Sequence, residues 1–323
     1  MEDIHAQVLR GFGIKPKRVI REKTYYICQI ESAYRVIQKS FDNCESLLRQ
    51  HEIKERLYAN GFLQTDRFIL SVAGLPYVVY DGYPFVMTEL LDYREADFGK
   101  NEDYIKILLK TAQFHEAAHG FLPGGVTDIP LVDYYAKCLT ELTGMKKRIS
   151  AQGKFSDFDV FFLKNFQYYT SLLEESVALC KASRYEHFWR EAEANGQICH
   201  HALKEENILI NGAEVYLINF SKAGFGCRLQ DLSDIISRYA RSLPPAPVDI
   251  NTAIAQYGGE NPLASDEKKL LLALLKYPDK FIRLCNQYYS KKRTWAPSAI
   301  IHRMEAVIAQ RDAYEAYIGK LNL

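Results

Sequence analysis

Residues 197–220 of this 323-residue chain carry a histidine and two asparagines at spacings suited to phosphoryl transfer. That chemistry needs a carboxylate to orient or deprotonate the attacking hydroxyl, oxygen ligands for magnesium, a lysine on the phosphates and a backbone cover. His200 opens a loop, His200-His201-Ala202-Leu203-Lys204-Glu205-Glu206-Asn207, followed by the apolar run Ile208-Leu209-Ile210. Asn211-Gly212 reads as a hairpin turn, and Val215-Tyr216-Leu217-Ile218-Asn219-Phe220 as the next strand. Each residue also has a plainer reading. Asn207 alone fits a turn, and His200 alone fits a structural histidine bonded to backbone. Glu205 and Glu206 are the loop's only acids and read first as solvated charges.

The surrounding elements must hold this loop in place. In residues 18–39, Tyr26, Cys28 and Ile30 alternate with Ile27 and Gln29, and Tyr34, Val36 and Gln38 alternate with Arg35, Ile37 and Lys39, with a turn at Glu31-Ser32-Ala33. The spacing of Leu47, Leu48, Ile53 and Leu57 predicts a helix over 46–60 that stops at Asn60-Gly61. Residues 67–72, 76–80 and 84–88 read as three more strands, the last two joined by Asp81-Gly82. Two strands, a helix and three strands make an antiparallel sheet with one helix packed on it. Beyond Glu89-Leu90-Leu91 the pattern turns helical, over 103–119, 130–148 and 156–182 before the loop and over 229–241, 249–257, 265–276, 278–290 and 297–318 after it. Ser265 is expected to cap its helix, and Pro278 and Pro297 fit first-turn positions. The expected fold is α+β: a bilobal, protein-kinase-like arrangement. Residues 1–89 form the small antiparallel-sheet lobe, and 90–323 form a mainly helical lobe carrying the loop 200–207 and the strand 215–220.

Composition narrows the alternatives. With 48% hydrophobic and 25% charged residues, the chain can bury two cores. A net charge of +1 gives no global field favouring nucleic acid or an anionic membrane. Lys146-Lys147-Arg148 and Lys291-Lys292-Arg293 read as solvated basic runs. The 7 cysteines are scattered without a C-x-x-C pair, which argues against a zinc site and a disulfide framework and for synthesis in a reducing compartment. Residues 1–5 do not begin a signal peptide, and the apolar run 270–275 is too short to span a bilayer.

In kinases that act on small molecules, the loop typically runs His-Gly-Asp-x-x-x-x-Asn, followed by a strand ending Ile-Asp-Phe. The chain more closely resembles the spore-coat kinase-like family typified by the CotS protein, a branch of the aminoglycoside phosphotransferase and choline kinase superfamily. Cys199-His200-His201-Ala202 resembles that family's Cys-His-His-Asp or Cys-His-Gln-Asp. Phe114-His115-Glu116-Ala117-Ala118-His119-Gly120-Phe121 resembles its Phe-His-x-Ala-Ser-x-Gly-Tyr, and Arg228-Leu229-Gln230-Asp231-Leu232 its Asp-Leu segment. Asn261-Pro262-Leu263, Tyr277-Pro278, Lys280-Phe281 and Asn286-Gln287-Tyr288-Tyr289, with Trp295 nearby, resemble its C-terminal helices. The resemblance implies a kinase-like fold and a spore-associated protein. It makes Asp231 a support for the loop and Asn207 a metal and nucleotide residue. Glu89 and Leu91 become the hinge facing a nucleotide.

The departures fall on the chemistry. Ala202 replaces the base, whose loss costs on the order of 10²–10⁴ in rate. Asn219 replaces a metal carboxylate with one neutral oxygen. The strand lysine falls on Gln38, and its neighbour Lys39 faces the other way on a strand. Residues 18–39 also contain no glycine to admit phosphates closely. The leading expectation is a pseudokinase with a structural or scaffolding role among other coat proteins, in the cytoplasm of the mother cell and in the spore coat, with no cofactor. One alternative is an ATP- and magnesium-dependent phosphotransferase using Lys39, Glu205 or Glu206. The other is a module binding a metabolite in the inter-lobe cleft. Neither nucleic acid nor a membrane span is expected.

Overall fold

The computed structural model describes residues 6–121, 131–259, 261–290 and 297–323. Residues 1–5, the basic run at Lys291, Lys292 and Arg293, and Trp295 lie outside the described residues. The chain forms an α+β fold of two compact units. The first comprises Met1–Asp97, Ala112–Phe121 and Gly196–Phe225, and the second Phe98–Thr111, Leu122–Asn195 and Gly226–Leu323.

The first unit opens with α1 (Ala6–Gly11), β1 (Arg18–Arg21), β2 (Tyr25–Ile30), β3 (Ala33–Lys39), α2 (Cys44–Ala59), β4 (Val78–Tyr80) and β5 (Tyr83–Glu89). The five strands make one antiparallel sheet in the order β1-β2-β3-β5-β4. Cys28, Ile37 and Met87 on one face pack with Val8 and Phe12 from the α1 region. Val86 on the other face packs with Leu47 of α2 and with Phe68. Asp81 and Gly82 both take positive φ, 51° and 75°, as the tight β4–β5 hairpin requires. Asn43 caps α2, its side chain accepting from the Ser46 amide at 2.8 Å.

Two expectations for this region change. Residues 18–39 hold three strands, because β1 pairs Arg18 with Gln29 through Arg21 with Tyr26. As a largely exposed edge strand, β1 has no buried face to impose alternation. Residues 67–72 form no strand, and Val72 opens a turn. β4 covers only Tyr83–Phe85 of β5, and the Ile69 amide donates singly to Met87 O at 2.7 Å beyond it.

The chain continues through β6 (Arg94–Glu95), α3 (Asn101–Ala117), α4 (Leu131–Ser150), α5 (Asp157–Ala182) and α6 (Tyr185–Ala194), then β7 (Ile198–Cys199), β8 (Ile208–Asn211), β9 (Glu214–Leu217) and β10 (Gly224–Phe225). β8 and β9 form a hairpin with β6 on its edge, and β7 pairs with β10. The hairpin turn falls one residue later than expected, since Asn211 still pairs with Glu214 and Gly212 supplies the positive φ.

The second unit adds α7 (Leu229–Ala240), α8 (Ile250–Gly258), α9 (Ser265–Lys276), α10 (Asp279–Ser290), α11 (Pro297–Ala309) and α12 (Arg311–Ile318). The single helix expected over 297–318 breaks at Gln310, and Tyr314 and Tyr317 anchor α12 by donating to Leu275 O and Val248 O. The cap of α9 is Ala264, not Ser265, with Glu267 accepting from the Ala264 amide at 3.0 Å. α6 carries no expectation from the pattern; few of its residues are buried. Aromatic packing fills this core: Tyr169 stacks on Phe281 at 3.9 Å and Tyr135 on Tyr277 at 4.2 Å. Tyr288 stacks on Phe158, and Tyr289 donates to Asp159 at 2.8 Å, so this pair serves helix packing.

Gly196 fixes where the chain enters the loop. It sits at φ 58°, and a Cβ there would lie 2.2 Å from Phe121 O and 2.6 Å from Phe121 N. Phe121 N donates to Gly196 O and Ile198 N to Ala118 O, tying β7 to the end of α3. Gly196→Ala should lower stability by about 3 kcal/mol through strain and overlap, measurable as a fall in the urea midpoint at unchanged slope.

Candidate functional site

α2 carries an unusual buried stripe: Leu47, Gln50, Ile53, Lys54 and Leu57. Their spacing puts them on one helical face, so two polar side chains occupy core positions. Gln50 is satisfied by donating to Asp42 at 2.9 Å. The Lys54 side chain is 1% exposed, and its ammonium lies 2.9 Å from Asp66 Oδ1. It also donates to Asp66 O at 2.8 Å and sits 3.7 Å from the centroid of the Phe68 ring. Burial pulls the Lys54 pKa down, and the Asp66 charge opposes that pull.

Asp66 connects this pair to the loop. Leu217 N donates to Gln64 O at 3.1 Å, which lays β9 beside residues 64–66. The Asn219 amide then makes a long contact, 3.5 Å, with Asp66 Oδ2. Asn219 takes φ 62° and His201 φ 57°. Asparagine tolerates this left-handed conformation better than most residues, whereas histidine stands where small-molecule kinases typically carry glycine.

The loop is held by side-chain amides. Asn207 is buried, and its Nδ2 donates to Ala202 O at 2.8 Å. The same side chain's Oδ1 therefore faces the other way, as an acceptor, and Asn219 Nδ2 donates to it at 3.1 Å. Backbone bonds reinforce the pair, with Ile218 N donating to Asn207 O at 3.0 Å. His200 is fully buried, and its Nε2 lies 3.0 Å from Ile218 O, so that nitrogen carries the proton and donates. Ala202 thus contributes a backbone carbonyl to the loop and no side-chain function. Glu206 pairs with Lys204.

The remaining sequence-derived positions are dispersed. Gln38 is exposed and pairs with Val86 across the sheet, on the face toward α2. Lys39 lies on the opposite face, 3.0 Å from the centroid of the Tyr83 ring. Glu89 ends β5 and pairs with Arg35 at 3.2 Å. Glu89 and Leu91 line a recess of about 360 Å³ with Asp66, Arg67 and Tyr216. Asp231 lies buried in the first turn of α7, in the second unit. Lys54 and Asp66 carry no role in the sequence reading. The available signal was a lysine on the apolar stripe of a helix.

The resemblance to phosphotransferases assigns a metal role to Asn207 and Asn219. The donor set does not suit magnesium. Asn207 Oδ1 already accepts an N–H, and Asn219 offers at most a neutral amide oxygen, which requires breaking that bond. The two amides satisfy each other without a cation.

A five-stranded antiparallel sheet with a helix packed on it, a His-to-Asn loop and a following hairpin belongs to the aminoglycoside phosphotransferase and choline kinase class of fold. An aminoglycoside phosphotransferase from Alicyclobacillus acidocaldarius is similar at a TM-score of 0.84, with 17% identity over 98% of this chain and 95% of that one. A spectinomycin phosphotransferase, solved with ADP and spectinomycin, is similar at 0.65, with 13% identity over 97% and 96% of the two chains. A microcompartment-associated aminopropanol kinase is similar at 0.59, with 14% identity over 98% of each. Residues 5–321 match the family described as "Spore coat putative kinase YutH", and the chain belongs to that family. No curated protein matches the chain.

Two substitutions test this geometry. Asn219→Asp would set a carboxylate against Asn207 Oδ1 and remove the amide bond, lowering metal-free stability by about 1–3 kcal/mol. Millimolar magnesium should restore its melting temperature while leaving the wild type unmoved. Asp66→Ala would leave the Lys54 ammonium buried without its carboxylate, at a cost of about 3 kcal/mol at pH 7. The Lys54 pKa is depressed on folding, so the unfolded chain binds more protons between that value and the ordinary lysine value. Stability of the variant should therefore rise with pH through that window, read from urea midpoints across alkaline pH.

Proposed function

We propose that this protein is a pseudokinase with a structural or scaffolding role in the spore coat or in its assembly within the mother cell. The observation that carries the reading is the Asn219-to-Asn207 bond, which closes the two metal positions upon each other. Ala202 in place of a base and Gln38 in place of a strand lysine support it. Losing base, metal carboxylate and phosphate lysine together removes each electrostatic contribution on which phosphoryl transfer depends. Membership of a spore coat family supports the location, with other coat proteins as partners. Among the described residues, no helix is long and apolar enough to cross a membrane.

A displaced set of catalytic groups finds little support. Lys39 is engaged over Tyr83, and Glu206 with Lys204. The aminoglycoside-modifying and small-molecule kinases of similar fold are too distant in sequence to lend their substrates.

A thermal-shift titration with ATP, with and without magnesium, tests the proposal, together with an assay for γ-phosphate release or transfer. The expected result is no magnesium-dependent shift and no turnover. Magnesium-dependent turnover that disappears in Asn207→Ala would overturn it.

A further inference from the structure

The second unit contains a concentration of positive charge that the phosphotransferase-like loop does not use. Lys280 and Arg283 on α10 and Arg303 on α11 line a recess of about 320 Å³, together with Gln287 and Gln310, and no acid among the described residues lines it. Lys280 also borders a narrower recess with Arg241 and Arg311. The acids nearby are already engaged. Asp279 pairs with Arg283 at 3.0 Å, Asp234 with Arg238 at 3.1 Å, Asp312 with Arg311 at 2.9 Å, and Glu315 accepts from Tyr168 at 3.1 Å. Arg241 donates to Ser237 O and lies over the Tyr314 ring.

Among the described residues, Lys280 and Arg303 have neither an ion-pair nor a hydrogen-bond partner. Half-buried Lys280 is pulled down to about 8, first by burial and then by Arg241, Arg238 and Arg283, with Asp279 opposing. Crowding cations into a concave site costs stability unless an anion neutralises them. Natural chains keep such an arrangement where function requires it.

We propose that this recess binds a small phosphate-bearing anion. The groups match that chemistry. Guanidinium forks and an ammonium donate charge-assisted bonds to tetrahedral oxyanions. The carboxamides of Gln287 and Gln310 add neutral donors and acceptors for the rest of the molecule. A phosphate dianion neutralises more of this cluster than a single carboxylate does. The volume suits a small metabolite. The site stands independently of the pseudokinase reading, because its residues lie outside the loop at 200–219.

The test is a thermal-shift titration of the whole protein with pyrophosphate at fixed ionic strength, with acetate as the monoanion comparator. The wild type should be stabilised saturably by pyrophosphate and much less by acetate. Lys280→Met should raise the unliganded melting temperature and weaken apparent pyrophosphate affinity about tenfold, the worth of one charge-assisted bond. Arg303→Met, at an exposed position that folding does not need, should weaken it similarly. Lys106→Met, on α3, should respond as the wild type does. Absence of a wild-type shift at matched ionic strength would overturn the proposal, as would unchanged responses in both Lys280→Met and Arg303→Met.

Discussion

The loop depends on one direction of hydrogen bonding. Asn207 must give its N–H to Ala202 O to hold the turn, so its oxygen points toward residue 219. Two acceptors facing each other repel unless a cation lies between them, whereas an acceptor facing a donor is satisfied directly. Asparagine at 219 supplies the donor. A neutral bond thus joins residues 207 and 219. His200, donating to Ile218 O, and the Ile218 amide, donating to Asn207 O, then fasten β9 to the loop.

A second constraint lies behind this one. Lys54 is held in the core of the first unit by Asp66, and Asp66 reaches the backbone of Asn219. A buried lysine is tolerable only with its charge compensated and its protons accepted, and Asp66 does both, through its side chain and its carbonyl. The segment carrying Asp66 forms no ladder with β5, meeting it only through the Ile69 amide at Met87 O. Its backbone lies beside β9.

The helical unit follows different physics. Its core is aromatic and its helices are joined by tyrosine hydroxyls, with Tyr239 donating to Asn101 and also accepting from Val248 N. Against this aromatic background, the cationic recess around Lys280 stands apart, since no acid among the described residues lines it.

Much of the chemistry was legible in the chain itself. The spacing from His200 to Asn207 and Asn219, the helix over α2 and the Asp81-Gly82 hairpin are local, and local patterns depend only on neighbouring residues. So are the residue types at Ala202, Asn219 and Gln38, on which the proposed pseudokinase reading rests. The sequence did not reveal β1, whose exposed edge imposes no alternation, or the loss of a strand at 67–72, where a single backbone bond to β5 replaces a ladder. The side-chain partners were equally beyond it. That Asn219 bonds Asn207, that Lys54 needs Asp66 and that Lys280 shares recesses with Arg241 and Arg303 are juxtapositions of residues distant in sequence. Periodicity can mark Lys54 as misplaced on an apolar stripe, but only tertiary packing decides what compensates its charge.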